Sequence, residues 1–201
     1  MKTAIIGGGA AAFFAAINTK ENFPNSEVVI FEKTNKLLSK VLISGGGRCN
    51  LTNSETSIST FSKHYPRGEK QLKKLFGTFN NQDTKNWFES RGVELVAEHD
   101  GRMFPKSNTS QTIYDLFLHE SEKLGIKIKL KSGVNSIKQE AEKIILEVNG
   151  KFLLFDKVIV CTGGSPKLEG FNWMKNLGHK IENPVPSLFT FNIPNEKITK
   201  L

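Results

Sequence analysis

Apolar and polar positions alternate along this chain with two different periods, and the changes of period mark its elements. A short apolar run, Ala4-Ile5-Ile6, has the length and side chains of a buried strand. It passes directly into Gly7-Gly8-Gly9, after which Ala10, Phe13, Phe14 and Ile17 recur at helical spacing. Val28-Val29-Ile30-Phe31 reads as a second buried strand, so the first third of the chain opens as a βαβ unit. Helical patterns return over Glu69 to Phe76, Gln82 to Arg91 and Thr109 to Leu124. Trp87 and Phe88 serve as core anchors in the second, and Gly92 and Gly125 stand after the last two. Val93 to Glu98 and Arg102 to Phe104 flank Asp100-Gly101, a hairpin signal. Residues 54–66 read as an exposed loop.

Beyond Ile126 to Leu130, period-2 runs at Val134 to Lys138, Ile144 to Val148 and Phe152 to Phe155 predict a small antiparallel meander. It leads into Val158-Ile159-Val160-Cys161, a run suited to a strand buried on both faces. Trp173 to Leu177 reads as a short helix stopped by Gly178, and Pro184, Pro186 and Pro194 break regularity thereafter.

The first turn carries candidate chemistry. Gly7-x-Gly9-x-x-Ala12 between strand and helix is a dinucleotide-binding pattern. Gly7 suits a tight turn, Gly9 lets a diphosphate approach the backbone, and Ala12 lets helix and strand pack closely. Glu32 ends the second strand, where such folds place the carboxylate that receives a ribose hydroxyl. By itself the motif admits NAD, FAD or no ligand. A second glycine cluster, Ser44-Gly45-Gly46-Gly47-Arg48-Cys49-Asn50, brings backbone amides, a guanidinium and an amide side chain together. A ligand-binding loop and a plain flexible loop are equally compatible with its composition. Arg48 beside Cys49 raises the prospect of a stabilised thiolate. His64, His99, His119 and His179 share no metal-ligand spacing, and no catalytic residue stands out.

Composition then narrows the classes. The 201 residues, 38% hydrophobic and 24% charged, fit a globular chain, and no apolar run is long enough to cross a bilayer. The start of the chain superficially resembles a secretion signal. However, three glycines break its apolar run, and cleavage would discard half of the βαβ unit. With only Cys49 and Cys161, no disulfide framework is expected, and a cytoplasmic location follows as an expectation. The net charge of +8 invites a nucleic-acid reading, but the lysines are scattered. In Ile126-Lys127-Ile128-Lys129-Leu130 they read as one solvated strand face, so neither a nucleic-acid nor a membrane partner is expected.

The order of parts resembles the FAD flavoproteins with two dinucleotide folds, a class that includes glutathione reductase and the fumarate reductase flavoprotein subunit. Lys40-Val41-Leu42-Ile43-Ser44-Gly45-Gly46-Gly47-Arg48-Cys49-Asn50-Leu51-Thr52-Asn53 resembles most specifically the bacterial aminoacetone oxidase-like, or NAD(P)/FAD-dependent, oxidoreductases. Gly101-Arg102-Met103-Phe104-Pro105, Leu177-Gly178-His179 and Pro186-Ser187-Leu188 resemble further signatures of that family.

The resemblance implies an α/β Rossmann-like FAD-binding fold of the glutathione reductase type, a central parallel sheet with an inserted antiparallel meander. It implies Gly7, Gly9 and Ala12 at the FAD pyrophosphate and Glu32 with Lys33 at the adenosine ribose. Lys40, Arg48, Cys49 and Asn50 would lie along the cofactor toward the flavin. Val134 would meet the adenine, and Thr162, Gly163 and Gly164 the pyrophosphate. It also implies a small organic substrate, with NAD(P)H as candidate electron donor. An RNA-modifying flavoprotein and a non-catalytic fragment are the alternatives. Leu38-Ser39 stands where the family has Gly-Arg, and Cys161 where it has alanine. After Pro166 the segment Lys167-Leu168-Glu169-Gly170-Phe171 is shortened. The family is also longer. Residues 1–186 are expected to form an incomplete FAD-binding domain and 187–201 the start of an inserted substrate domain. The adenosine half of the cofactor would then be held better than the flavin half.

Overall fold

A parallel sheet grows outward from the first apolar run. In the computed structural model, which describes residues 1–165 and 168–185, β1 (Lys2–Ile6) lies between two parallel neighbours. One is β2 (Glu27–Phe31), with Ile5 opposite Ile30; the other is the late strand β10 (Lys157–Val160), with Ile5 opposite Ile159. The connection from β1 to β2 is α1 (Ala10–Asn22). Four strands make this sheet, in the order β10-β1-β2-β6, with β6 (Lys127–Lys129) parallel to β2 at the far edge.

Strand alternation sorts the apolar side chains onto two faces. Ile5, Val28 and Ile30 face the helices, where Ala12, Phe13, Ala16 and Ile17 of α1 meet Ile113, Leu116 and Phe117 of α6 (Gln111–Lys123). Phe13 and Phe117 stand 5.8 Å apart, in the range that favours tilted aromatic pairs. Ala4, Ile6, Val29 and Phe31 face the other way, onto an antiparallel meander: β7 (Val134–Glu140), β8 (Lys143–Val148) and β9 (Lys151–Phe155). There Phe155 meets Phe31 edge-on at 5.8 Å. The expected βαβ unit and meander are both present.

Between β2 and α6 the chain builds the scaffold of the second glycine cluster. The segment runs through α2 (Ser39–Ile43), a 3₁₀ turn at Ser44–Gly47, and β3 (Thr52–Asn53). Next come α3 (Ile58–Lys63), α4 (Glu69–Phe76) and α5 (Asn81–Glu89). Helix α5 starts at a capping box in which Asn80 accepts from Gln82 and Asp83 amides while Asp83 accepts from the Asn80 amide. The hairpin β4 (Leu95–Ala97) and β5 (Arg102–Pro105) then forms around Asp100-Gly101, and β3 pairs on its other side.

Two expectations are corrected, and one departure from the family pattern finds its place. Residues 54–66 are not simply a loop: α3 begins at a Ser57 cap and buries Phe61, whose ring lies 4.9 Å from Phe76. A single aromatic among Ser, Thr and Lys gave no period to recognise. Strand β10 is not buried on both faces: Lys157 and Val160 are exposed, Val160 by 37%, and among the described residues β10 is an edge strand. Leu38, which departs from the glycine of the family pattern, adopts a left-handed φ of 53° and is nonetheless almost fully buried. Its strain is offset by that burial and by its amide, which donates to the Gly8 carbonyl at 2.8 Å.

The chain forms two compact units, Met1–Gly163 and a second that begins at Gly164. Within the second, a 3₁₀ turn (Leu168–Phe171) leads into α7 (Asn172–Asn176), and Trp173 donates to the Gly170 carbonyl. The signature at 186–188 and the expected domain start at 187–201 lie outside the described residues.

Candidate functional site at the glycine turn

The three glycines after β1 have three different physical reasons. A Cβ at Gly7 would lie 2.4 Å from the Cys161 carbonyl oxygen, and its φ is +112°, so the end of β10 leaves no room for a side chain. A Cβ at Gly8 would stand 2.8 Å from Leu37 and 3.0 Å from Glu32. At Gly9, which caps α1 in an extended conformation, a Cβ would meet nothing within 4 Å. The packing of the chain therefore does not require a glycine there. The amides of Gly9, Ala10 and Ala11 have no hydrogen-bond partner among the described residues. They form the open, electropositive end of a helix with no acidic residue in its first turn.

Glu32 is drawn into this turn. Its Oε2 accepts from the Gly8 amide at 2.8 Å and its Oε1 from the Thr34 amide at 2.7 Å. A carboxylate has about four acceptor positions, so both oxygens keep capacity for a further donor. The segment before β7 runs alongside. Ser132 donates to the Glu32 carbonyl and Lys131 to that of Thr34, which places Lys33 against Gly133 and Val134 close beyond. Ala12 is fully buried beneath the turn, as its small size requires.

On the other side of α1 the second glycine cluster closes a cleft of about 460 Å³. Its lining combines the polar Lys40, Ser44 and Asn50 with Cys49, Ala10 and Ala11 and the rings of Phe14, Phe88 and Phe117. Lys40 and Asn50 are exposed; the ammonium of Lys40 comes within 3.7 Å of where a Gly163 Cβ would stand. Thr162 and Gly163 follow β10 as exposed backbone, with Gly163 at φ 72°. Gly164 opens the second unit.

One side chain of the second cluster differs from what the resemblance implied. Arg48 does not point along the cleft. Its Nη1 lies 2.6 Å from Glu98 Oε1 and its guanidinium sits 4.0 Å from the Phe104 ring centre. Burial pushes the Cys49 thiol above its ordinary value, with a smaller opposing hydrogen bond from Ser44. Burial does the same to Cys161. Glu98 and Phe104 belong to the site's construction, yet nothing marked Glu98 in the sequence. Among the described residues no group of His, Cys, Asp and Glu could hold a metal ion.

A glycine turn on a parallel βαβ, a carboxylate closing that turn and a meander on the far face are the parts of a Rossmann domain. The HI0933-like protein Rossmann domain matches residues 1–186. The chain belongs to that family. Over 202 residues the chain is 27% identical to a 3-dehydro-bile acid delta(4,6)-reductase of Clostridium scindens, an alignment that covers 98% of this chain and 48% of the relative. It is 29% identical to a ribosomal RNA dihydrouridine synthase of Haemophilus influenzae, covering 98% and 51%. Its fold matches a flavocytochrome c3 fumarate reductase with a TM-score of 0.61 at 20% identity, covering 82% of this chain and 34% of that one. The chain thus spans about half the length of the curated relatives it matches.

Proposed function

We propose that this HI0933-like domain binds FAD at the N-terminal end of α1 and serves an oxidoreductase that acts on a small organic substrate, with NAD(P)H as electron donor. The observation that carries the proposal is Gly9: a side chain would fit there, yet the position holds the residue that lets a diphosphate reach the backbone. In this reading the amides of Gly9, Ala10 and Ala11 take the pyrophosphate, and Lys40 offsets its charge. Glu32 keeps the turn closed through Gly8 and accepts from the ribose with its remaining lone pairs. Lys33 and Val134 border the adenine, and Thr162, Gly163 and Gly164 the phosphates. Asn50 offers an amide toward the flavin. The flavin, when bound, supplies the electron transfer itself; the chain orients it and sets its surroundings. Residues 1–186 are the cofactor domain, and 187–201 begin a substrate domain.

A visible absorption spectrum tests this directly. Chain mixed with FAD and separated from free dye should retain a flavin spectrum; a colourless protein contradicts the proposal. Since the described contacts lie on the ADP side, ADP should displace FAD with an affinity within about tenfold of it.

One observation favours a second reading, an RNA-modifying flavoprotein. On the meander face a groove of about 560 Å³ is lined by Lys2, Lys127, Lys129 and Lys151 with one carboxylate, Glu27, already paired to Lys127 at 2.9 Å. The relative from Haemophilus influenzae is named for work on ribosomal RNA. Gel-shift titrations with an rRNA fragment across a salt series separate the readings. RNA binding that weakens steeply with salt supports the second, because phosphate contacts release counterions. Absence of a shift at low salt rejects it.

A further inference from the structure

The loop from Ser44 to Asn50 holds a backbone that the chain would not adopt unaided. Gly45, Gly46, Gly47 and Cys49 all have left-handed φ values, of 55°, 69°, 84° and 63°. Such conformations persist only where the surroundings fix them from several sides. Backbone bonds supply part of this: Cys49 donates to the Ser44 carbonyl, Ser110 to that of Gly47, and Leu51 to that of Met103.

Arg48 supplies the side-chain part by reaching across fifty positions of sequence to the β4–β5 hairpin. There Glu98 divides its two oxygens between two arginines, Oε1 to Arg48 at 2.6 Å and Oε2 to Arg102 at 3.0 Å. Arg102 is held in turn by Asp100 at 2.7 Å. Both guanidiniums lie over Phe104, with centres 4.0 and 5.5 Å from the ring, and Phe104 is itself 3% exposed. The same ring comes within 2.9 Å of where a Cβ on Gly45 would stand. One aromatic ring therefore packs against both Gly45 and Arg48, and one carboxylate fixes the arginine upon it.

We infer that Glu98 is a positioning residue of the cofactor cleft, acting through Arg48 to hold the glycine-rich loop so that Asn50 and Cys49 face the cleft. This rests on the FAD reading above. It assigns Arg48 to the loop's own architecture and leaves the ligand to the backbone, Lys40 and Asn50. An ordinary half-exposed ion pair contributes little to stability. Glu98 differs because it ties the loop to a hairpin fifty residues away, whereas the Ser44 hydroxyl bonds locally, to the Val41 carbonyl and the Cys49 thiol.

The test uses the full chain and four variants: Glu98→Gln, Arg48→Met, their combination, and Asp100→Asn, which loses an Arg102 pair without touching Arg48. Hydrogen exchange at amides 45–51 and FAD affinity by flavin fluorescence are both read. Glu98→Gln should speed exchange across 45–51 and weaken FAD, each by about tenfold, while exchange in α1 stays at the wild-type rate. In the Arg48→Met background the same change should add nothing further, as for two residues acting through one contact. Asp100→Asn should match wild type in both readouts. If the wild type binds FAD and Glu98→Gln leaves loop exchange unchanged, the positioning role is overturned alone. It is overturned likewise if Glu98→Gln weakens FAD equally with Arg48 present or replaced. A wild type that takes up no FAD overturns the cofactor reading, and the positioning role falls with it.

Discussion

Two runs of three glycines flank the start of α1 and the loop before Asn50, and their members are glycine for different reasons. In the first, Gly7 and Gly8 are required by crowding: a Cβ would run into the end of β10 at one and into Leu37 and Glu32 at the other. In the second, Gly46 and Gly47 sit in open or nearly open space and their left-handed φ values are the requirement, while Gly45 combines a left-handed φ with crowding by the Asn50 amide and the Phe104 ring. Gly9 belongs to neither case, with room for a side chain and an extended backbone. A glycine demanded by packing or by φ reports on the fold. One demanded by neither points to something outside the chain.

Substitutions at these positions should separate the three cases. Gly7→Ala has the largest expected effect, a loss of about 4 kcal/mol or more, because the new methyl overlaps a carbonyl that β10 cannot withdraw. Thermal unfolding should show a far lower midpoint or no folded chain, and a midpoint near wild type would break the crowding half of the comparison. Glu32→Ala should weaken FAD by about 1–3 kcal/mol in a fluorescence titration, since the ribose and the Gly8 amide lose their acceptor together. Gly46→Ala should cost about 1–2 kcal/mol through its φ alone, visible as a modest shift in denaturant midpoint.

The smallest effect concerns pH. Burial raises the thiols of Cys49 and Cys161, so each contributes stability while neutral, and that contribution is lost as pH climbs through the ordinary thiol range toward the raised value. Around pH 8.5, where an exposed thiol is half ionised, alkylation of the native chain should lag well behind the urea-unfolded chain. Equal rates would mean that Arg48 does activate Cys49 after all.

Much of this arrangement was legible in advance because local pattern and tertiary role coincide. Ile5 and Ile6 before a glycine turn, Phe13 and Ile17 at helical spacing, and Glu32 after an apolar strand all act through neighbours close in sequence or through a periodic face. The meander was equally clear, since Leu146, Val148 and Phe155 bury alternate positions. Helix α3 was hidden because Phe61 finds its partner in Phe76 on the next helix, not in a periodic face of its own. The exposure of β10 depends on what packs over its faces, and a run of Val-Ile-Val carries no such information. Arg48 precedes the cleft-lining Cys49, but its side chain turns to Glu98 and Phe104. Its orientation is set by Glu98, fifty residues away, and a pairing of that range leaves no local trace.

The central claim is that Gly9 is glycine for the sake of a bound diphosphate, and Gly9→Ala tests it most directly. Unfolding free energy and FAD affinity are measured on the same preparation. The account predicts stability within about 0.5 kcal/mol of wild type, together with FAD affinity lowered by about tenfold or more. An alanine variant that binds FAD as tightly as wild type would contradict it.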